Sequence, residues 1–115
     1  MGKRITSQKR GRGSRRYISL RHRYIGEARN KVRVNKDVHS AEVVALVHSP
    51  AHSAPLAQVR YDDGEQGYII APEGISVGDV ICTGKTNEVK TGNTLMLRNI
   101  PEGTPIYNIE NCAGD

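Results

Sequence analysis

The chain of 115 residues contains no Trp and no Phe, five Tyr, five Pro and two Cys. Lacking the two largest aromatics, it can bury only a modest core, and its length holds one small domain, which rules out a two-domain enzyme. The longest purely apolar run, Val43-Val44-Ala45-Leu46-Val47, is five residues, whereas a membrane-spanning helix needs about 20. The basic opening leads into no apolar stretch of the kind a secretory signal carries, so a soluble, cytoplasmic chain is expected. Cys82 and Cys112 stand thirty apart, with neither a CxxC pair nor the dense spacing of a disulfide scaffold. Two free, partly buried thiols are the expectation.

Acidic residues are nearly missing from one part of the chain. Residues 1–36 hold thirteen Lys and Arg against Glu27 alone, a net charge of +12, while residues 37–115 hold four bases against eleven acids, a net of −7, giving the total of +5. So much like charge with so few large apolar side chains cannot bury enough surface to offset its ordering entropy. The arm is therefore expected to be extended or disordered until a polyanion neutralises it. Anionic membrane and nucleic acid are the two candidates. The arm has no amphipathic helical stripe, which favours nucleic acid and argues against a membrane.

The arm's sequence, KRITSQKRGRGSRRYISLRHRY, sets Tyr17 and Tyr24 among Arg15, Arg16, Arg21 and Arg23, with Gly2, Gly11, Gly13 and Gly26 interrupting helix. This composition suits RNA, because arginine grips phosphate with two parallel hydrogen bonds, tyrosine offers a stacking face, and glycine allows close backbone approach. A solvated tail with no partner would seldom choose Arg over Lys or Glu.

The second half lacks any stretch free of Gly and Pro longer than eight residues from Gly64 onward, which excludes a long helix. Alternation of Ala57, Val59 and Tyr61 with Gln58 and Arg60 predicts a strand at Leu56–Tyr61, turned by Asp62-Asp63-Gly64 into a partner strand over residues 66–71. Further strands are predicted over residues 41–47, 79–83, 95–97 and 105–111. The phrases Ala71-Pro72-Glu73-Gly74-Ile75 and Ile100-Pro101-Glu102-Gly103-Thr104 read as tight corners, with proline second and glycine fourth in a type I geometry. Five or so short strands are too few for a sandwich. The predicted fold is all-β, a small five-stranded barrel of the oligonucleotide-binding (OB) type behind an extended basic arm.

No catalytic constellation survives inspection. Gly84-Lys85-Thr86 matches the end of a phosphate-binding loop, but Asp79 stands where its first glycine belongs and no helix follows. Gly11-Arg12-Gly13 supplies two glycines of a dinucleotide fingerprint with no strand before it. His48 and His52, with His39 as a third ligand, could share a metal only from a helix that Pro50 breaks, so they read as exposed loop histidines. Cys82 within Val80-Ile81-Cys82 reads as a small core residue, and Asp62, Asp63 and Glu65 as a solvated turn. No enzyme activity, cofactor, metal or small-molecule substrate is expected.

Two stretches carry a family pattern. HSPAHSAPLAQVRYDDGEQGYIIAPEGISVGDVI over residues 48–81 and KTGNTLMLRNIPEGTPIYNIE over residues 90–110 resemble the universal large-subunit ribosomal protein family called L-two, and GKRITSQKRGRG with Arg21-His22-Arg23-Tyr24 resembles its archaeal form. The most specific parts are Gly92-Asn93-Thr94-Leu95, Arg98-Asn99-Ile100-Pro101-Glu102-Gly103-Thr104 and Asn108-Ile109-Glu110. The resemblance implies a binder of large-subunit ribosomal RNA (rRNA) with an RNA-threading arm and an OB barrel. In the family these precede a second barrel and a basic tail near the peptidyl transferase region. That second half has no counterpart here, and a truncated chain, a partial one and a split gene all fit. Met96 and Ala113 stand where the family usually has proline, and Ala51-His52 where Gly-Arg is usual, which removes one phosphate contact.

The expected organisation is a basic RNA-binding arm over residues 1–36, an OB-like barrel over 37–111, and over 112–115 the start of a linker to an absent second barrel. Within the arm Lys3, Arg4, Lys9, Arg10, Arg12, Arg15 and Arg16 would contact phosphate, as would Arg21, Arg23, Arg29, Lys31 and Arg33. Tyr17, His22 and Tyr24 are candidates for base stacking or 2′-hydroxyl contacts. The expected role is a structural constituent of the large subunit in translation, in contact with neighbouring ribosomal proteins. The alternative is a free-standing OB-type single-strand-binding module, which the lack of Phe and Trp on the sheet disfavours.

Overall fold

A computed structural model describes residues 2–31, 38–84 and 88–115. Arg33 and the Lys85-Thr86 pair of the loop-like motif lie outside them. Four antiparallel strands, β1 (Val38–Val47), β2 (Leu56–Tyr61), β3 (Gln66–Ile70) and β4 (Val80–Gly84), form a sheet in the order β3-β2-β1-β4. The all-β class is therefore as expected. Among the described residues no ladder joins β3 to β4, so the sheet is open.

Period-two alternation places the core. His39, Ala41 and Val43 of β1 face inward between exposed Ser40, Glu42 and Val44, and Ala57, Val59 and Tyr61 of β2 meet them. Ile69 of β3 and Ile81 of β4 complete one cluster, with Ala71 and Ile75 packed against it. Val43, Leu56 and Val59 are wholly buried, and each contributes about 1.5–3 kcal/mol relative to an exposed side chain. The β1–β2 register shifts between Val43 and Ala45, a bulge beside which Gly78 donates to the Val43 carbonyl at 2.8 Å. On the outer face Glu42 and Arg60 are register partners joined by a 3.0 Å ion pair.

Both predicted corners form, shifted by one residue. Ile75 N–H donates to the Pro72 carbonyl and Thr104 N–H to that of Pro101, so proline is first and glycine third in each. Gly74 and Gly103 both have a φ of 84°, which makes these type II rather than type I turns, since the third residue must enter left-handed space.

The strands expected over residues 95–97 and 105–111 do not form. Leu97–Asn99 instead winds into a 3-10 turn, with Asn99 N–H donating to Met96 and Ile100 N–H to Leu97. Near this segment Thr94 adds to the sheet through a bridge to Thr83. In the last segment Pro105 has no N–H to donate and Asn108 takes a φ of 53°, which breaks an extended run. The arm holds two short turns, α1 (Thr6–Lys9) and a 3-10 turn at Leu20–Arg23, so one helical turn forms ahead of the glycines. Cys82 is half-buried, but Cys112 is exposed, contrary to expectation.

Gly92 lies in a turn after β4, at a φ of 88°, and a Cβ there would lie 2.8 Å from Ile81 Cγ2. Gly92→Ala is expected to destabilise the sheet by about 1–3 kcal/mol through backbone strain and overpacking, read as a lower denaturation midpoint.

Candidate nucleic-acid interface

The arm divides in two according to what its bases touch. Nine bases lie between positions 3 and 23 with no acidic residue among them, and all nine are exposed. Among the described residues none of the nine forms an ion pair, and no hydrogen bond joins residues 2–23 to the sheet. The chain measures 64 × 32 × 28 Å with a radius of gyration of 18.0 Å, against about 13 Å for a compact domain of this length.

Local backbone bonds give this part its shape. Gln8 reaches back to accept the Ile5 N–H at 3.2 Å, and the Ser14 carbonyl accepts from Tyr17 and Ile18, folding the chain over the glycines. Arg4, Lys9, Arg12, Ser14, Arg16 and Tyr17 thereby line one shallow groove. Four cations, a hydroxyl and a half-buried phenol ring in one hollow can hold a phosphate and stack a base. Lys3, Arg10, Arg15, Arg21, His22 and Arg23 do not line this groove and are exposed along the arm.

Over residues 24–31 the arm is docked. The Tyr24 and His52 rings stack at 4.7 Å between centroids, and His52 Nδ1 is 2.8 Å from the buried Ser49 hydroxyl. Gly26 lies flat under the Tyr68 ring, and Arg29 N–H donates to the Tyr68 carbonyl at 3.0 Å, next to a parallel bridge between Ala28 and Tyr68. Asn30 donates to Glu110 at 3.3 Å. Arg29 pairs with Glu27 at 2.7 Å, both half exposed, and Lys31 pairs with both Asp63 and Glu65. Asp62, Asp63 and Glu65 are exposed as expected, and Asp63 and Glu65 also anchor the arm through Lys31, while His52 is a stacking partner rather than a free loop histidine. His39 is buried, with neither ring nitrogen bonded among the described residues.

Charge count had missed this docking. Its partners are far apart in sequence, and the only hint was acids clustered at a turn opposite a basic arm.

Burial pushes the Tyr61 phenol above its ordinary 10.0, an effect that Lys31 partly offsets. An unfolded tyrosine ionises through 10.0 while the folded one holds its proton, so this stabilisation is complete below that pH and is lost as pH rises above it. The urea midpoint is expected to fall on crossing that pH, and Tyr61→Phe to reduce the fall.

The sequence profile described as Ribosomal Proteins L2, RNA binding N-terminal domain, matches residues 2–83. A protein named Large ribosomal subunit protein uL2 from Methanopyrus kandleri is 48% identical over 118 aligned residues, covering all of this chain and 49% of its own. Those of Haloquadratum walsbyi and Methanocaldococcus jannaschii are each 45% identical over the whole of this chain, which covers 47% and 49% of them. The chain spans about half the length of these relatives. With a matched profile over most of its length and such relatives along all of it, the chain belongs to the ribosomal protein L2 family, to the part that forms the RNA-binding N-terminal domain.

Proposed function

We propose that the chain is a structural component of the large ribosomal subunit that binds large-subunit rRNA and takes part in translation without catalysing a reaction. The observation that carries this reading is the run of nine exposed bases between positions 3 and 23 with no acid partner among the described residues. Such a charge array is stable only against a polyanion. The family profile is that of an RNA-binding domain of a ribosomal protein, which supports rRNA as that polyanion.

In this proposal about six to eight phosphates are neutralised, by bases drawn from Lys3, Arg4, Lys9, Arg10, Arg12, Arg15, Arg16, Arg21 and Arg23, with Arg29 and Arg33 as further candidates. The exposed Arg29–Glu27 pair is weak enough for a phosphate to displace. Tyr17 and His22 stack on bases or bind 2′-hydroxyls, and Tyr24 does so with the ring face that His52 leaves open. Residues 1–36 act as the arm and 37–111 as an OB-type barrel that sets register, with 112–115 leading to a linker. The acidic sheet faces neighbouring ribosomal proteins, and the site of action is the cytoplasmic ribosome. No helix among the described residues is long and apolar enough to cross a membrane.

Sucrose-gradient fractionation of a lysate that expresses the chain tests this directly. Co-migration with large subunits is the expected result. Migration only at the top of the gradient, at low salt, would overturn it.

A further inference from the structure

On the reading that the arm binds rRNA, we propose that Lys31 is a positioning residue: clasped by Asp63 and Glu65 over the Tyr61 ring, it fixes the direction in which the arm leaves the sheet and contacts no phosphate. Charge alone puts Lys31 with the other bases, but its surroundings set it apart. Its side chain is 17% exposed, whereas Arg29 two residues earlier is 58% exposed. The ammonium bridges two carboxylates and lies 5.4 Å from the centroid of Tyr61. Two of its donors are therefore engaged by carboxylates, and its charge also rests on a ring face. A phosphate approaching it would have to come up against Asp63 and Glu65, a like-charge encounter.

The receiving side is itself held. Asp63 Oδ1 accepts the Glu65 N–H at 3.1 Å, which leaves Oδ2 turned to Lys31. The Asp63 side chain is 18% exposed and that of Glu65 67%, so the Asp63 half of the clasp is more sheltered than an ordinary surface pair. Beside it, the Arg29 N–H bond to Tyr68 and the Asn30 bond to Glu110 hold the same short segment against β3 and the C-terminal stretch. Residues 24–31 thus form a root of fixed direction, and the nine bases before them reach RNA with part of their ordering cost already met.

The test compares salt titrations of full-length chain on a large-subunit rRNA transcript. Lys31→Met keeps the aliphatic stem and removes the charge. It is expected to weaken binding by about threefold to tenfold, with the slope of log affinity against log salt unchanged. Arg16→Ala serves as the phosphate-contact control and should flatten the slope by about 0.7 to 0.9. A reversed clasp, Lys31→Glu with Asp63→Asn and Glu65→Lys, should recover most of the lost affinity. Its Asp63→Asn change keeps a side-chain oxygen for the N–H of position 65. The proposal is overturned if Lys31→Met flattens the slope as Arg16→Ala does, if it leaves affinity unchanged, or if the reversed clasp folds without recovery. A wild-type slope shallower than about −2 instead overturns the rRNA-grip reading on which the proposal rests.

Discussion

Deleting residues 1–23 is expected to lower affinity for large-subunit rRNA by about a thousandfold or more at physiological salt, because six to eight phosphate contacts vanish together. The sheet should survive the deletion. Among the described residues, no hydrogen bond or ion pair runs from residues 2–23 to β1, β2, β3 or β4, and the core cluster lies wholly beyond the arm. The structure also says where to cut. Removing all of residues 1–36 would take Tyr24, Ala28, Asn30 and Lys31 with the arm, and so mix loss of RNA contacts with loss of docking. Circular dichroism and a urea midpoint close to that of the full chain, together with the collapse of RNA binding, would separate the two roles. A shortened chain that binds as tightly as the whole would place the rRNA contacts on the sheet.

The second large effect separates charge from stacking within the arm. Arg15, Arg16, Arg21 and Arg23 are exposed and pair with no carboxylate among the described residues. Replacing all four by Ala should flatten the salt slope by about 3 to 4 units, at about 0.7 to 0.9 per phosphate contact. Replacing Tyr17 by Leu should cost about 1–3 kcal/mol of affinity with the slope nearly constant, because a stacked base releases no condensed counterion. Tyr24→Leu is a mixed case, since its ring already stacks on His52 and helps dock the arm root. A Tyr17 change that flattens the slope as much as the arginine set would contradict this division.

How much of this was legible in the sequence depended on the range of the interaction. The β2–β3 hairpin was clear because alternation and an Asp-Asp-Gly turn are local signals, and its register follows from them. The charge partition was equally plain, since a count of residue types needs no coordinates. The strands expected over residues 95–97 and 105–111 failed for lack of partners. Short apolar runs carry β propensity whether or not a ladder is available, and here the Asn99 and Ile100 N–H groups donate back to the Met96 and Leu97 carbonyls in a turn instead. The docking of the arm root was hidden most completely. Lys31 meets Asp63 and Glu65 across 32 and 34 residues, and Asn30 meets Glu110 across 80, separations over which no local pattern operates. Reading the bases as one uniform arm therefore missed its anchorage to the sheet over residues 24–31.

The central claim is that an exposed, unpaired basic arm is the electrostatic grip on rRNA. It is tested most directly by one titration, the affinity of the whole chain for a large-subunit rRNA transcript across a range of monovalent salt. With six to eight phosphates neutralised, log affinity should fall against log salt with a slope of roughly −4 to −7. A slope shallower than about −2 would contradict the account, because it would leave no room for more than two or three released counterions.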